Sequence, residues 1–158
     1  MSTFDFETNF ESAAKIFLES ATGLTTTSLF SSLDQDDFVL PRLQVNANIQ
    51  GADDPPTLND LGFIEYSQYS IEFSISVVTD ASIDGTQVNH RSYRAQVREA
   101  MLLNASNWST SDGSGGTILP LYQVKYQKPS GTDFEIDGDL AISTLTYDLK
   151  FTINPDSW

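Results

Sequence analysis

Between Phe6 and Ala21 the apolar residues Phe6, Phe10, Ala13, Ala14, Phe17, Leu18 and Ala21 recur at three- and four-residue spacings. That period gathers them on one face of a helix, and Gly23 supplies the stop. Thr25-Thr26-Thr27-Ser28 reads as a polar connector, and Asp34, Asp36 and Asp37 precede an apolar run of Phe38, Val39, Leu40, Leu43 and Val45. This run predicts a strand interrupted at Pro41. Proline cannot donate to a sheet ladder, so the strand is expected at an edge or bent there. Residues 50 to 60, with their Asp, Pro and Asn, form a loop.

The strongest alternation follows, with Tyr69, Ile71, Phe73, Ile75 and Val77 set against Ser70, Glu72, Ser74 and Ser76: a strand with one dry face. After a turn at Asp84-Gly85, Tyr93, Val97, Ala100, Met101 and Asn104 mark one side of a second helix. The run from Ser109 to Gly116 has the composition of a flexible loop. Ile118, Leu119, Leu121, Tyr122, Val124 and Tyr126 give a third strand, and Lys128-Pro129-Ser130-Gly131 is expected to turn the chain. In the last strand Leu145, Tyr147, Leu149, Phe151 and Ile153 oppose Thr144, Thr146, Asp148, Lys150 and Thr152. Leu140 and Ile142 are out of phase with that set, which predicts a bulge near Ser143-Thr144. The sum is one domain over residues 1–158, an α+β fold with two helices packed on a mainly antiparallel sheet.

A strand over residues 66 to 79 would reach roughly 45 Å at about 3.3 Å per residue, against a usual length of about 5–6 residues. Alternating strands that long need pairing, and unpaired ends aggregate. A partner subunit is therefore expected, the alternative being one curled sheet that covers itself.

Charge sharpens the picture. The 158 residues hold 8 Lys plus Arg against 22 Asp plus Glu, a formal net charge of −14, with one His and no Cys. Disulfides, thiolate metal sites and multi-histidine centres are excluded, and no cofactor is indicated. A charge of −14 also opposes bulk binding to phosphate. No run reaches about 18 apolar residues, so no membrane span is expected.

Candidate chemistry is sparse. Asp80-Ala-Ser82-Ile-Asp84-Gly85 begins like a calcium loop, but Arg91 stands where its bidentate Glu belongs. The acidic row Asp133, Glu135, Asp137 and Asp139 has Thr144 at that position, and is better read as a hairpin turning at Asp137-Gly138 with its carboxylates outward. His90 is expected at a helix start or in solvent, and no nucleophile elbow or phosphate loop accompanies it. No enzymatic activity is expected. Arg91, Arg94 and Arg98 make a stripe on the second helix, either a docking face for an acidic surface or an ordinary solvated face. Tyr66, Tyr69, Tyr122, Tyr126, Trp108 and Trp158 suit core or interface, with a sugar site as the rival reading.

The helix from Phe6 to Ala21 and the long strand ending in Val77-Val78-Thr79-Asp80 open a recognisable layout. The helix entered through His90-Arg91-Ser92-Tyr93-Arg94 and continuing through Val97-Arg98-Glu99-Ala100 extends it, and two strands close it near Ile153. This layout resembles that of the tail terminator (tail completion) proteins of long-tailed bacteriophages. It covers most of the chain and carries no residue-level motif, so it assigns no binding residue. The resemblance implies a virion protein, assembled in the host cytoplasm, that forms a homo-oligomeric ring, commonly a hexamer, at the head-proximal end of the tail tube. Such a ring stops tube growth and joins tail to head or neck. Its partners would be the tail tube protein and a head-completion or neck protein, with DNA passing through the lumen without specific binding. The alternatives are another neck or tail structural protein, such as a head-completion or tube subunit, or a carbohydrate-binding β-rich domain. As contact or lumen surfaces, Arg91, Arg94 and Arg98, and Asp133, Glu135, Asp137 and Asp139, are the candidates.

Overall fold

The computed structural model describes residues 6–28, 40–52, 57–58, 64–65, 69–83, 88–103 and 122–153. Helix α1 spans Phe6–Thr22 and is followed by strand β1, Thr25–Ser28. Strands β2 (Arg42–Ala52), β3 (Thr57–Leu58), β4 (Ile64–Glu65) and β5 (Tyr69–Asp80) come next. Helix α2 covers Val88–Leu103, and β6 (Tyr122–Asp137) and β7 (Leu140–Ile153) complete the described chain. One sheet runs in the order β1-β2-β5-β7-β6, antiparallel throughout except for the parallel β1–β2 pair. β3, inside the stretch 50 to 60 expected to be loop, pairs with β4 just beyond it in a separate two-stranded ladder.

Both helices lie on one face of the sheet, as the apolar periods require. Phe10, Ala14 and Leu18 of α1, with Val97 and Met101 of α2, meet Leu43, Val45, Ile71, Phe73, Ile75, Val77, Leu145, Tyr147 and Leu149 in one cluster. Phe10 and Phe73 meet edge to face with ring centroids 5.8 Å apart. At the end of α1, Gly23 takes φ 73° and donates its N–H to the Glu19 carbonyl at 2.9 Å, a C-terminal cap that a side chain would strain.

Several expectations need correction. The Thr25–Ser28 connector is a strand, because its β-branched threonines pair with β2 and Thr26 buries fully beside α1. β2 begins just after Pro41, and the Phe38-Val39 part of the expected strand lies outside the described residues. Lys128-Pro129-Ser130-Gly131 does not turn. β6 runs through it against β7, absorbing the proline at a register shift between Pro129 and Gly131, which an edge strand tolerates. β7 has no shift near Ser143-Thr144 in its pairing with β5. Ala141 and Ser143 continue the buried phase, so Leu140 and Ile142 simply face the other side.

β5 is paired along its length by β2 on one side and β7 on the other, so this strand needs no second subunit. The strand with an unfilled side is β6, 16 residues long, paired only to β7 among the described elements.

The opposite side of the sheet is closed by a device the periodicity did not announce. β1 covers β2 only from Arg42 to Val45, which leaves later amides facing outward. Glu11 and Glu7, one turn apart on α1, accept the Ala47 and Ile49 N–H groups, each at 3.0 Å, and Glu19 accepts that of Thr26 at 3.1 Å. Carboxylates thus stand in for a missing strand. Glu11→Ala should cost about 1.5–3 kcal/mol, the range for a hydrogen bond to a charged group. Glu11→Gln should recover part of it, both read as shifts of the urea midpoint at unchanged slope.

Candidate functional site

Register decides which side of the sheet each candidate occupies. On β6, Thr132, Phe134 and Ile136 stand opposite Leu145, Ser143 and Ala141, so they share the helix-bearing face. Asp133, Glu135 and Asp137 stand opposite Thr144, Ile142 and Leu140 and share the other face, the open face, which no described helix covers. Every residue from Lys128 to Asp139 is exposed. The expected hairpin is present: Gly138 takes φ 60° in the turn, and the Asp139 carbonyl accepts the Ala81 N–H at 2.7 Å, tying the turn to the end of β5. The open face is polar elsewhere too, with Gln44, Asn46, Ser74, Ser76 and Thr144 around a shallow depression of about 220 Å³ and a 3.0 Å hydrogen bond between the Ser76 and Thr144 hydroxyls.

The arginine stripe lies on the other side. Arg91 is exposed, Arg94 is half-buried with Nη1 donating to Ser143 Oγ at 3.4 Å, and Arg98 donates from Nη2 to Thr132 Oγ1 at 3.3 Å. Among the described residues no carboxylate forms an ion pair with any of the three. Burial, and then the positive charges of Arg98 and Arg91, hold the Arg94 guanidinium below its ordinary value. The structure therefore keeps the two predicted clusters apart: three uncompensated cations on the helix side, and a carboxylate row on the open side of the same hairpin.

Apolar groups accompany the cations. Phe134 and Ile136 remain 48% and 58% exposed, and Leu102 of α2 is exposed beside Arg98. Arg98, Leu102, Pro129, Gly131 and Tyr147 line a groove of about 270 Å³ between the end of α2 and the bulge of β6. Burial pushes the Tyr147 phenol above its ordinary value, with the charge of Arg98 acting the other way. The native state thus holds that proton more tightly than the unfolded chain. Its contribution is fully present below the unfolded value of about 10 and is lost as pH rises through the higher folded one. Tyr147→Phe should accordingly show a smaller drop in urea midpoint than the parent chain between about pH 8 and about pH 11.

His90 lies in the first turn of α2, as expected, but it is buried and not in solvent. It is 1% exposed, with Nδ1 2.8 Å from Thr79 Oγ1 and Nε2 2.7 Å from Ser143 Oγ, and its ring meets Phe134 edge-on at 5.4 Å. One consistent set of donors runs from Arg94 N–H to Ser143, from the Ser143 hydroxyl to Nε2, and from Nδ1–H to Thr79. A Ser–His pair at this distance has the outline of an activated nucleophile, but the orienting group is a hydroxyl and Ser143 is 0% exposed. The group therefore serves to pin α2 to β5 and β7. Sequence reasoning missed it because its three members lie 11 and 53 residues apart; the one signal was His90 standing in phase with Tyr93, Val97 and Met101. Asp80, of the rejected calcium loop, makes a local turn instead. Its carboxylate accepts from Ser82 N at 2.9 Å and Ser82 Oγ at 2.6 Å, and those bonds lower its ordinary value.

No family model and no curated protein matches the chain. Among solved structures, a protein that carries only a sequence identifier for a name is similar over 94% of this chain and 94% of its own, at 13% identity and a TM-score of 0.52. A chain from the virion of a native gene transfer agent particle is similar over 94% of both chains, at 10% identity and a TM-score of 0.48. The first of these likenesses is one of fold.

Proposed function

We propose that the chain is a structural virion subunit of the tail terminator class, acting by self-assembly and docking and not by bond chemistry. Copies close into a ring, commonly of six, at the head-proximal end of the tail tube. Ring closure uses up the lateral surfaces, one flat side matches the tube, and the other receives a head-completion or neck protein. A formal charge of −14 keeps DNA from adhering as it passes. The observation that carries this reading is β6, a 16-residue outer strand hydrogen-bonded to β7 alone among the described elements, with residues 128–139 exposed. An edge that long, with Phe134 and Ile136 half-exposed along it, belongs against a protein surface.

Native mass spectrometry and electron microscopy of the purified full chain test the proposal. Closed rings of uniform size that seat on the ends of tail tubes and halt their elongation are expected. Open-ended stacking into long tubes would instead mark a tube subunit, and a monomer that persists at high concentration and ignores tube ends would refute assembly altogether.

A further inference from the structure

Three of the chain's eight basic residues, Arg91, Arg94 and Arg98, sit on one stripe of α2 in a strongly acidic protein. Arg94 and Arg98 donate to the neutral hydroxyls of Ser143 and Thr132, and no described carboxylate pairs with any of the three. The same holds for Asp133, Glu135 and Asp137 on the far side of the hairpin: all three are exposed, and none has an ion pair among the described residues. The sheet stands between the clusters, so a single copy cannot bring them together. Two copies placed head to tail can.

We infer that the arginine side of α2, with Leu102, Phe134 and Ile136 as apolar anchors, docks against the Asp133, Glu135, Asp137 row of a second copy of this chain. The inference rests on the assembly reading above and names the surfaces that carry it. The contact is heterologous, because one copy offers its helix side and the next its open sheet side; such contacts repeat until a rotation closes them into a ring. Half-exposed aromatic and aliphatic groups beside the cations supply the desolvated centre that charge pairs alone lack. Charge complementarity sets register and rejects the reversed pairing, since helix side against helix side opposes three arginines to three.

Charge exchange in the full chain tests it. One variant carries Arg91→Glu and Arg98→Glu, and the other Asp133→Lys and Glu135→Lys; all four sites are exposed, and urea midpoints check that each variant folds. Sedimentation equilibrium at low salt should show each variant alone associating at least about tenfold more weakly than the parent chain, with the gap shrinking as salt screens the pairs. An equimolar mixture should reassemble, because alternating copies restore opposite charges at every contact. Variants that associate like the parent, or a mixture that stays dissociated, would overturn this pairing while leaving the assembly reading intact. A parent chain that is itself monomeric would overturn both. Loss of duplex DNA retention in the arginine variant with association unchanged would assign the stripe to phosphate and likewise end the second-copy assignment.

Discussion

Replacing His90 with alanine is expected to lower the unfolding free energy by about 3–5 kcal/mol, near the top of the range for single substitutions. The ring lies between two hydroxyls that are themselves buried, Thr79 at 4% and Ser143 at 0% exposure. Removing it leaves both without their 2.8 Å and 2.7 Å partner, and each buried polar group so stranded costs about 1–3 kcal/mol. The vacated volume adds a packing loss beneath Phe134. The same reasoning yields a control. In Thr79→Val, His90→Leu, Ser143→Ala, no buried hydroxyl is left waiting, so the triple variant should be markedly more stable than His90→Ala alone despite its two further substitutions. Urea midpoints at unchanged slope measure both. If the single variant lost less than about 1 kcal/mol, the network would be no part of what holds α2 down.

The network also marks where sequence reasoning runs out. Both helices, the dry face of β5 and the Asp137-Gly138 hairpin were legible, because each is specified by a local period or by a residue whose backbone preference is strong. β1 was not: four residues, Thr-Thr-Thr-Ser, form a strand only because β2 offers a ladder and Glu19 takes the Thr26 amide. Lys128-Pro129-Ser130-Gly131 has good turn chemistry, and continuous pairing with β7 overrides it. The phase of β7 misled because its inward residues under α2 are Ala141 and Ser143, one small and one polar, while the conspicuous apolar residues face out. The arginine stripe and the acidic row were legible as patterns. Their placement on opposite faces was not, since it depends on the β6–β7 register and on which face α2 covers.

Position across the sheet, centre against edge, gives two phenylalanines on its helix-bearing face opposite fates. Phe73, 0% exposed at the middle of β5, is held by strands on both sides and by Phe10 from α1. Phe73→Ala should cost about 3–5 kcal/mol, the transfer term and the cavity together, because a central strand pinned by two ladders cannot collapse into the space. Phe134, 48% exposed on the outer strand, meets the His90 ring edge-on and leaves about half its surface in water. Phe134→Ala should cost the folded subunit about 1 kcal/mol or less, since half its surface already meets water. Under the proposed assembly its larger effect should be on association, read as weaker self-association than that of the parent chain at the same concentration. A variant series that moved folding and association in parallel at both sites would mean that Phe134 is ordinary core, and that the outer strand is finished without a neighbour. Loss of folding at Phe73 and loss of association at Phe134 would instead divide the sheet by physics: a saturated centre that makes the subunit, and an unsaturated rim that makes the assembly.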